Sequence, residues 1–212
     1  MKSSRIVLIN VIVILLLVAG GGAAVYYYVQ SVNYISTDNA RVEGQAVPIA
    51  APAAGMLTQW KGQVGQTYSS GQTLGYIRAA TGSVSLSAPA AGTIVQQSAV
   101  VNSVVAPGTP LARMYDLNNL WITANIAETD IRDIKVGQAV DLDVDAFPGN
   151  TLTGKVSQIG LATAGTFSLL PVSNTTTNYT RVTQVIPVNI SVDSYRGLGL
   201  LPGMSVSVRI HK

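Results

Sequence analysis

The sequence predicts a mainly β protein: an N-terminal transmembrane helix, then a β sandwich built from two similar halves, then a small β-barrel. Three observations predict it. The first is an uncharged stretch, IVLINVIVILLLVAGGGAAVYYYV, at Ile6–Val29. The second is a five-residue word, APAAG, present at Ala51–Gly55 and again at Ala88–Gly92. The third is a series of short alternating apolar runs after Leu120, separated by Gly, Pro and Asn.

The opening stretch follows Lys2 and Arg5, and Asn10 is its only strongly polar side chain. As a helix its 24 residues would reach about 36 Å, enough to cross a hydrocarbon core. Tyr26–Tyr28 would sit in an interfacial aromatic belt. Positive charge ahead of the span predicts a single-pass topology, with the N-terminus cytoplasmic and the body exported. Ala19, Gly20 and Ala23 could instead serve a cleaved signal peptide, but the apolar run is longer than a signal core. Gly20 and Ala24, four apart, would let a neighbouring helix approach closely.

Composition removes several classes of function. There is no cysteine, so disulfides, thiolate metal sites and cysteine nucleophiles are excluded. Only 11% of residues are charged and the net charge is +3, with no Lys/Arg run, so nucleic acid is not an expected partner. His211 is the only histidine, beside the C-terminus, where a frayed and solvated tail is expected. No conventional triad or multi-histidine metal site can be built on it. There is no phosphate-binding loop. Asp141, Asp143 and Asp145 alternate along a strand and share a face. A calcium loop would need Gly at position 146 and Glu at position 152; Ala146 and Leu152 stand there, which leaves a solvated face. No catalytic, cofactor or metal site is expected, and the protein is not expected to be an enzyme.

The middle of the chain repeats itself at an offset of 37 residues. Val47–Gly55 aligns with Val84–Gly92, and Gly71-Gln-Thr-Leu74 with Gly108-Thr-Pro-Leu111. Pro52 and Pro89 suit strand edges or turns, because each lacks a ladder donor. Gly55 and Gly92 are expected to supply a positive φ where the chain reverses. Two such halves can cover each other's apolar faces in a pseudo-symmetric sandwich. From Gly44 to Tyr115 there are three basic residues (Lys61, Arg78, Arg113) and no carboxylate. Such a face could pack on copies of itself or on a partner without burying unpaired acid.

Beyond Leu120, strands are predicted at Trp121–Ala127, Ala139–Phe147, Thr151–Ile159, Val182–Val192 and Met204–Ile210. Thr129 is placed to cap a helical turn at Asp130–Lys135, which Gly137 would stop. Leu161–Thr180 is a long loop rich in Thr, Ser and Asn, of the kind that is functional or mobile. Five strands and a short helix suit a closed barrel, which leaves no free edge.

Each half of the repeat resembles half of a biotinyl/lipoyl domain, with its A-P-x-x-G-apolar and G-x-x-L pattern. Other segments resemble the membrane fusion proteins, or periplasmic adaptors, of the HlyD type, and among them the EmrA-like multidrug branch. These are Thr37-Asp-Asn-Ala-Arg-Val42, Leu120–Ala127, Asp145–Gly149, Gly154–Ser157, Gly165–Pro171 and Leu201–Met204, in the family's order. The resemblance implies a cytoplasmic start and membrane helix at 1–30 and a lead-in strand of the barrel domain at 31–44. A lipoyl-like domain would follow at 45–116, with halves 45–78 and 83–116, and the barrel domain at 117–212.

It also implies a function: an adaptor subunit of a multidrug efflux or secretion system in the bacterial cell membrane. It would scaffold an inner- or plasma-membrane transporter of the major-facilitator (MFS) or ABC type, and self-associate as a trimer or hexamer. Ile6, Gly20, Ala24 and Tyr28 would then touch membrane and transporter. Pro52, Gly55, Pro89 and Gly92 would shape the turns of the lipoyl-like halves, and 161–180 would meet a partner.

One departure matters. The halves are joined only by Arg78–Ser83, which has no lysine for a biotin or lipoyl carrier and no room for the family's α-helical hairpin. That argues for a short member that does not reach an outer-membrane channel in the usual way. The alternatives are a carrier-like enzyme subunit and an envelope structural or binding protein with no transporter.

Overall fold

The computed structural model describes residues 14–22, 33–163, 184–193, 195 and 197–212. Residues 14–22 are helical and exposed. Among the described residues no helix is long and apolar enough to cross a membrane. The expected transmembrane helix, and the single-pass topology with a cytoplasmic N-terminus built on it, are corrected on that ground. Hydropathy registers apolar residues; it does not establish one continuous helix through them. Ile6, Ala24 and Tyr28 lie outside the described residues, and Gly20 lies within 14–22, with no atom within 4 Å of an added Cβ.

The rest is β structure. In chain order the strands are β1 (Tyr34–Ala50), β2 (Gly55–Trp60), β3 (Thr67–Tyr68), β4 (Thr73–Ala79), β5 (Gly82–Ser87) and β6 (Gly92–Gln97). Then come β7 (Val104–Val105), β8 (Pro110–Ala127), β9 (Ala139–Val144), β10 (Thr151–Ile159), β11 (Val185–Asp193) and β12 (Ser205–His211). The chain divides into two compact units. One holds Ala124–Asp193 and Ser205–Lys212 with the chain up to Ala40; the other holds Arg41–Thr123 and Ser194–Met204.

The first unit is a closed barrel of six strands, ordered β1-β12-β9-β10-β11-β8, with β8 pairing back to β1. Closure leaves no unpaired edge. Its sequence alternates as a strand with one buried face must. In β9, Val140, Leu142 and Val144 are buried, and the residues between them are not. In β12 the buried set is Val206, Val208 and Ile210. Leu142, with 0% exposure, stands opposite Leu152 of β10 and Val208 of β12.

Two local expectations change here. The helical turn is a single 3-10 turn, Ile131–Asp133, whose N-cap position is Asp130. Thr129 does not cap it; its hydroxyl donates to Asp130 Oδ1 at 3.1 Å. His211 is not a frayed tail. It closes β12, stacks edge-on against Tyr34 at 4.8 Å, and sets Nε2 3.0 Å from Asp141 Oδ2.

The second unit is the two-fold sandwich. One layer is the sheet β5-β4-β2-β7; the other is formed where β8 pairs with β6, and β6 with β3. Its core contains Ile49, Leu57, Leu74, Ile77, Ile94 and Met114, each at 0–1% exposure. Tyr195 adds a buried polar anchor: the Leu120 N–H donates to its hydroxyl at 2.8 Å. Tyr195→Phe leaves that buried N–H without a partner and should lower stability by about 1–3 kcal/mol. Denaturant unfolding of the variant against the parent chain checks this.

Candidate functional site

The repeat is an interlock. Counterparts across the 37-residue offset make the same hydrogen bonds, each half to the other. The Gly108 N–H donates to the Ala51 carbonyl at 2.9 Å, and the Gly71 N–H donates to the Ala88 carbonyl at 2.8 Å. The Ala51 N–H donates to the Thr109 carbonyl and the Ala88 N–H to the Gln72 carbonyl, both at 2.9 Å. Each APAAG therefore opens on an alanine held by the G-x-x-L turn of the opposite half. Ala51 and Ala88 are 3% and 1% exposed, so a larger side chain has no room. Pro52 and Pro89 sit in the exposed bends that follow, where no ladder donor is required.

The register repeats too. β2 pairs with β4 through a bulge between Leu57 and Gln59, and β6 pairs with β8 through one between Ile94 and Gln96. Gly55 pairs with Val105, and Gly92 with Tyr68.

The expected reason for Gly55 and Gly92 is corrected. Neither has a positive φ. What each needs is close backbone approach: a Cβ on Gly55 would lie 2.3 Å from the Arg78 carbonyl oxygen, and one on Gly92 2.7 Å from that of Tyr115. The left-handed positions that recur across the repeat are instead Gly71 and Gly108, with φ 79 and 82, and Gly65 with its counterpart Asn102, with φ 85 and 69. The repeat offset points to Asn102, because asparagine is the side-chain-bearing residue best suited to that region.

The hairpin joining the halves is tight. Ala79 pairs with Gly82, so only Ala80 and Thr81 form the turn. No residue of this turn can carry an amide-linked biotin or lipoyl group. Lys61 follows the other end of β2, away from the Met56–Arg78 pairing.

A shallow cleft of about 260 Å³ lies in the same unit, lined by Arg41, Glu43, Gly44, Tyr115 and Pro202 among others. Its charges answer each other: Arg41 Nε lies 3.3 Å from Glu43 Oε1, and the Thr123 hydroxyl donates to Glu43 Oε2 at 2.9 Å. In the barrel unit, Asp143 accepts from Arg209 at 2.9 Å and from Thr151 at 2.7 Å. Lys212 pairs with Asp133 at 3.0 Å. Within the DLDVD run, Asp143 thus forms a cross-strand ion pair with Arg209 and Asp141 meets His211 across the same strand pair. Because Arg209 and Asp143 are 42% and 44% exposed, Arg209→Ala should cost less than about 1 kcal/mol. A thermal melt of that variant checks it. Among the described residues no group of His, Cys, Asp or Glu is arranged to hold a metal ion. The contact assigned to 161–180 falls mostly on residues outside the described set.

Comparison with known proteins places this arrangement. Residues 45–116 match the family described as YhbJ, barrel-sandwich hybrid domain, and residues 120–210 match the YknX-like beta-barrel domain. The chain is 44% identical over 210 residues to YhbJ of Bacillus subtilis (strain 168), described as an efflux system component. That match covers 99% of this chain and 94% of the relative. The colistin resistance protein EmrA of Acinetobacter baumannii is 42% identical over 51% of this chain, but only 31% of its own length is covered. Among solved structures, ZneB from Cupriavidus metallidurans shares the fold with a TM-score of 0.65 at 16% identity, covering 85% of this chain and 98% of that one. The membrane fusion protein Spr0693 from Streptococcus pneumoniae R6 does so with a TM-score of 0.55 at 19% identity, covering 84% and 97%. A near full-length relative and an interlocked lipoyl-like module without a carrier lysine lead to one assignment: the chain belongs to the HlyD/EmrA-like family of membrane fusion proteins, the periplasmic adaptors.

Proposed function

We propose that this protein is the non-catalytic adaptor of a multidrug efflux system, working as a homo-oligomer that scaffolds a transporter of the major-facilitator or ABC type. The observation that carries this is the match to nearly the whole length of YhbJ, an efflux system component. The geometry supports it. The interlocked module and the closed barrel are built from paired strands, suited to holding partners rather than turning over a substrate. Energy for transport then comes from the partner. The two-residue hairpin argues against a swinging-arm carrier.

Affinity purification of the full chain from its native cells, in mild detergent, tests the proposal. One transporter should co-purify, and deletion of the gene should raise sensitivity to exported drugs. An adaptor role is rejected if no transporter is recovered and drug sensitivity is unchanged. Intact-mass measurement on the same sample should show no biotinyl or lipoyl addition.

A further inference from the structure

A closed barrel has no edges, but a sandwich keeps them. The edge strands β3 and β7 are only two residues each. β5 is different. It has six residues at the edge of the four-stranded sheet, with β4 on one side and no strand on the other. Its free side can be read from the ladder. Gly82 to Ser87 pair with β4 in unbroken order, and the one irregularity falls on β4, between Thr73 and Gly75. Just beyond the strand, the Ala88 N–H donates to the Gln72 carbonyl, on the β4 side. N–H directions alternate along a strand, so Ser83, Ser85 and Ser87 turn their N–H and C=O groups to the open side. All three are exposed, and among the described residues none makes a further backbone hydrogen bond.

The repeat supplies a control. At the 37-residue offset, Ser85 matches Pro48, an exposed residue of β1. Proline lacks a donor and sits where no ladder bond is required, which blunts an edge. β1 carries that block and β5 does not. β5 reads Gly-Ser-Val-Ser-Leu-Ser, with no proline, no charge and no bulge of its own. Unprotected edges of this length take up a further strand.

We propose that β5 accepts an extended, acid-bearing segment of another protein as a fifth strand beside this four-stranded sheet. Charge selects the occupant. Arg78 stands opposite Ser83 in the β4–β5 ladder, is exposed, and makes no ion pair among the described residues. Gly44–Tyr115 holds no carboxylate, so a second copy of this module cannot answer that cation. Ser83 is small, and the arginine stem is long enough to pass over it to a strand on the open side. An antiparallel segment meets this arginine with an Asp or Glu near its own C-terminal end. Main-chain bonds at the three serines supply affinity, and the arginine fixes register and sign. Strand addition at β5 stands apart from transporter scaffolding and does not depend on it.

Amide exchange in the full-length chain reads the edge before any ligand is added. Ser83, Ser85 and Ser87 should exchange at least about tenfold faster than Val84 and Leu86. The blocked peptide acetyl-Thr-Val-Thr-Val-Thr-Asp-amide should shift those three serine amides in an NMR titration and slow their exchange. The same peptide ending in Lys should bind about fivefold more weakly. Two N-methylated forms of the acidic peptide separate its faces: blocking one alternate set of amides should abolish binding, and blocking the other should not. Ser85→Pro gives β5 the residue that the other half carries at this place. It should fold and weaken binding by roughly tenfold or more; if it does not fold, the N-methylated peptides decide. No shift with the acidic peptide overturns the proposal, as does equal binding of the Asp and Lys peptides. Binding of both N-methylated forms would mean a side-chain contact without strand addition and overturn it. Protection of the serine amides in the chain alone would mean an edge already covered, by a second copy if it grows with concentration, and overturn it too.

Discussion

Leu57→Ala is expected to destabilise the two-fold module by about 3–4 kcal/mol, and Ile94→Ala by a similar amount. Both side chains are 0% exposed and belong to one core cluster. They are counterparts at the 37-residue offset, each placed just before a bulge between its own strand and the third strand of its half. Their backbone partners repeat as well: the Leu57 N–H donates to Ser103 at 2.9 Å, and the Ile94 N–H to Gln66 at 3.0 Å. Truncating either side chain removes apolar burial and leaves a cavity between strands whose registers are already fixed, so the site has little means of collapse. Trp60 and Trp121 both lie in this unit, and denaturant unfolding followed by their fluorescence reads its stability. The two losses should agree within about 1 kcal/mol, since interlocked halves share one core and unfold together. A loss at one site with almost none at the other would mean that the halves unfold separately, and the interlock would be wrong.

The pseudo-symmetric sandwich was legible because a repeat preserves its own alignment. An offset of 37 residues identified the equivalent positions before any coordinate did. The family resemblance and the adaptor role followed from the order of weak motifs around it. Strand ends were less legible. Asp116, Asn118 and Asn119 look like a turn, yet β8 runs unbroken from Pro110 to Ala127. Likewise β1 continues for 17 residues from Tyr34 to Ala50. Each strand serves the barrel with one end and the sandwich with the other, and pairing at both ends overrides local turn propensity. His211 was invisible for a related reason. Its order depends on Asp141 and Tyr34, which are remote in sequence. The opening hydrophobic stretch shows the opposite failure. A strong composition signal predicted a membrane-crossing helix, whereas among the described residues no helix is long and apolar enough to cross a membrane.

Gly55→Ala should destabilise the module by about 3 kcal/mol, which is large for one added methyl group. The new Cβ would meet the Arg78 carbonyl oxygen at 2.3 Å and the Arg78 carbonyl carbon at 2.7 Å. Both are backbone atoms of β4, held in register on one side by β2 and on the other by β5. No flexible side chain can yield, so a ladder must shift. Gly92→Ala should be milder, because its Cβ meets the Tyr115 carbonyl oxygen at 2.7 Å and carbon at 3.0 Å. Gly71→Ala separates this mechanism from the one glycine usually serves. Gly71 has φ 79 and no atom within 4 Å of an added Cβ, so its replacement carries only the left-handed backbone strain, about 1–2 kcal/mol. Unfolding free energies should therefore fall most for Gly55→Ala and less for the other two. If Gly71→Ala proved the most damaging, conformational freedom would outweigh close approach as the reason for glycine here. Were Gly55→Ala neutral, β2 and β4 would have to separate more easily than their shared register allows. The repeated word APAAG would then need an explanation outside the interlock. The alanine that opens it is held by the opposite half, and the glycine that ends it lets β2 lie against β4; the word is a fastening, used once in each half.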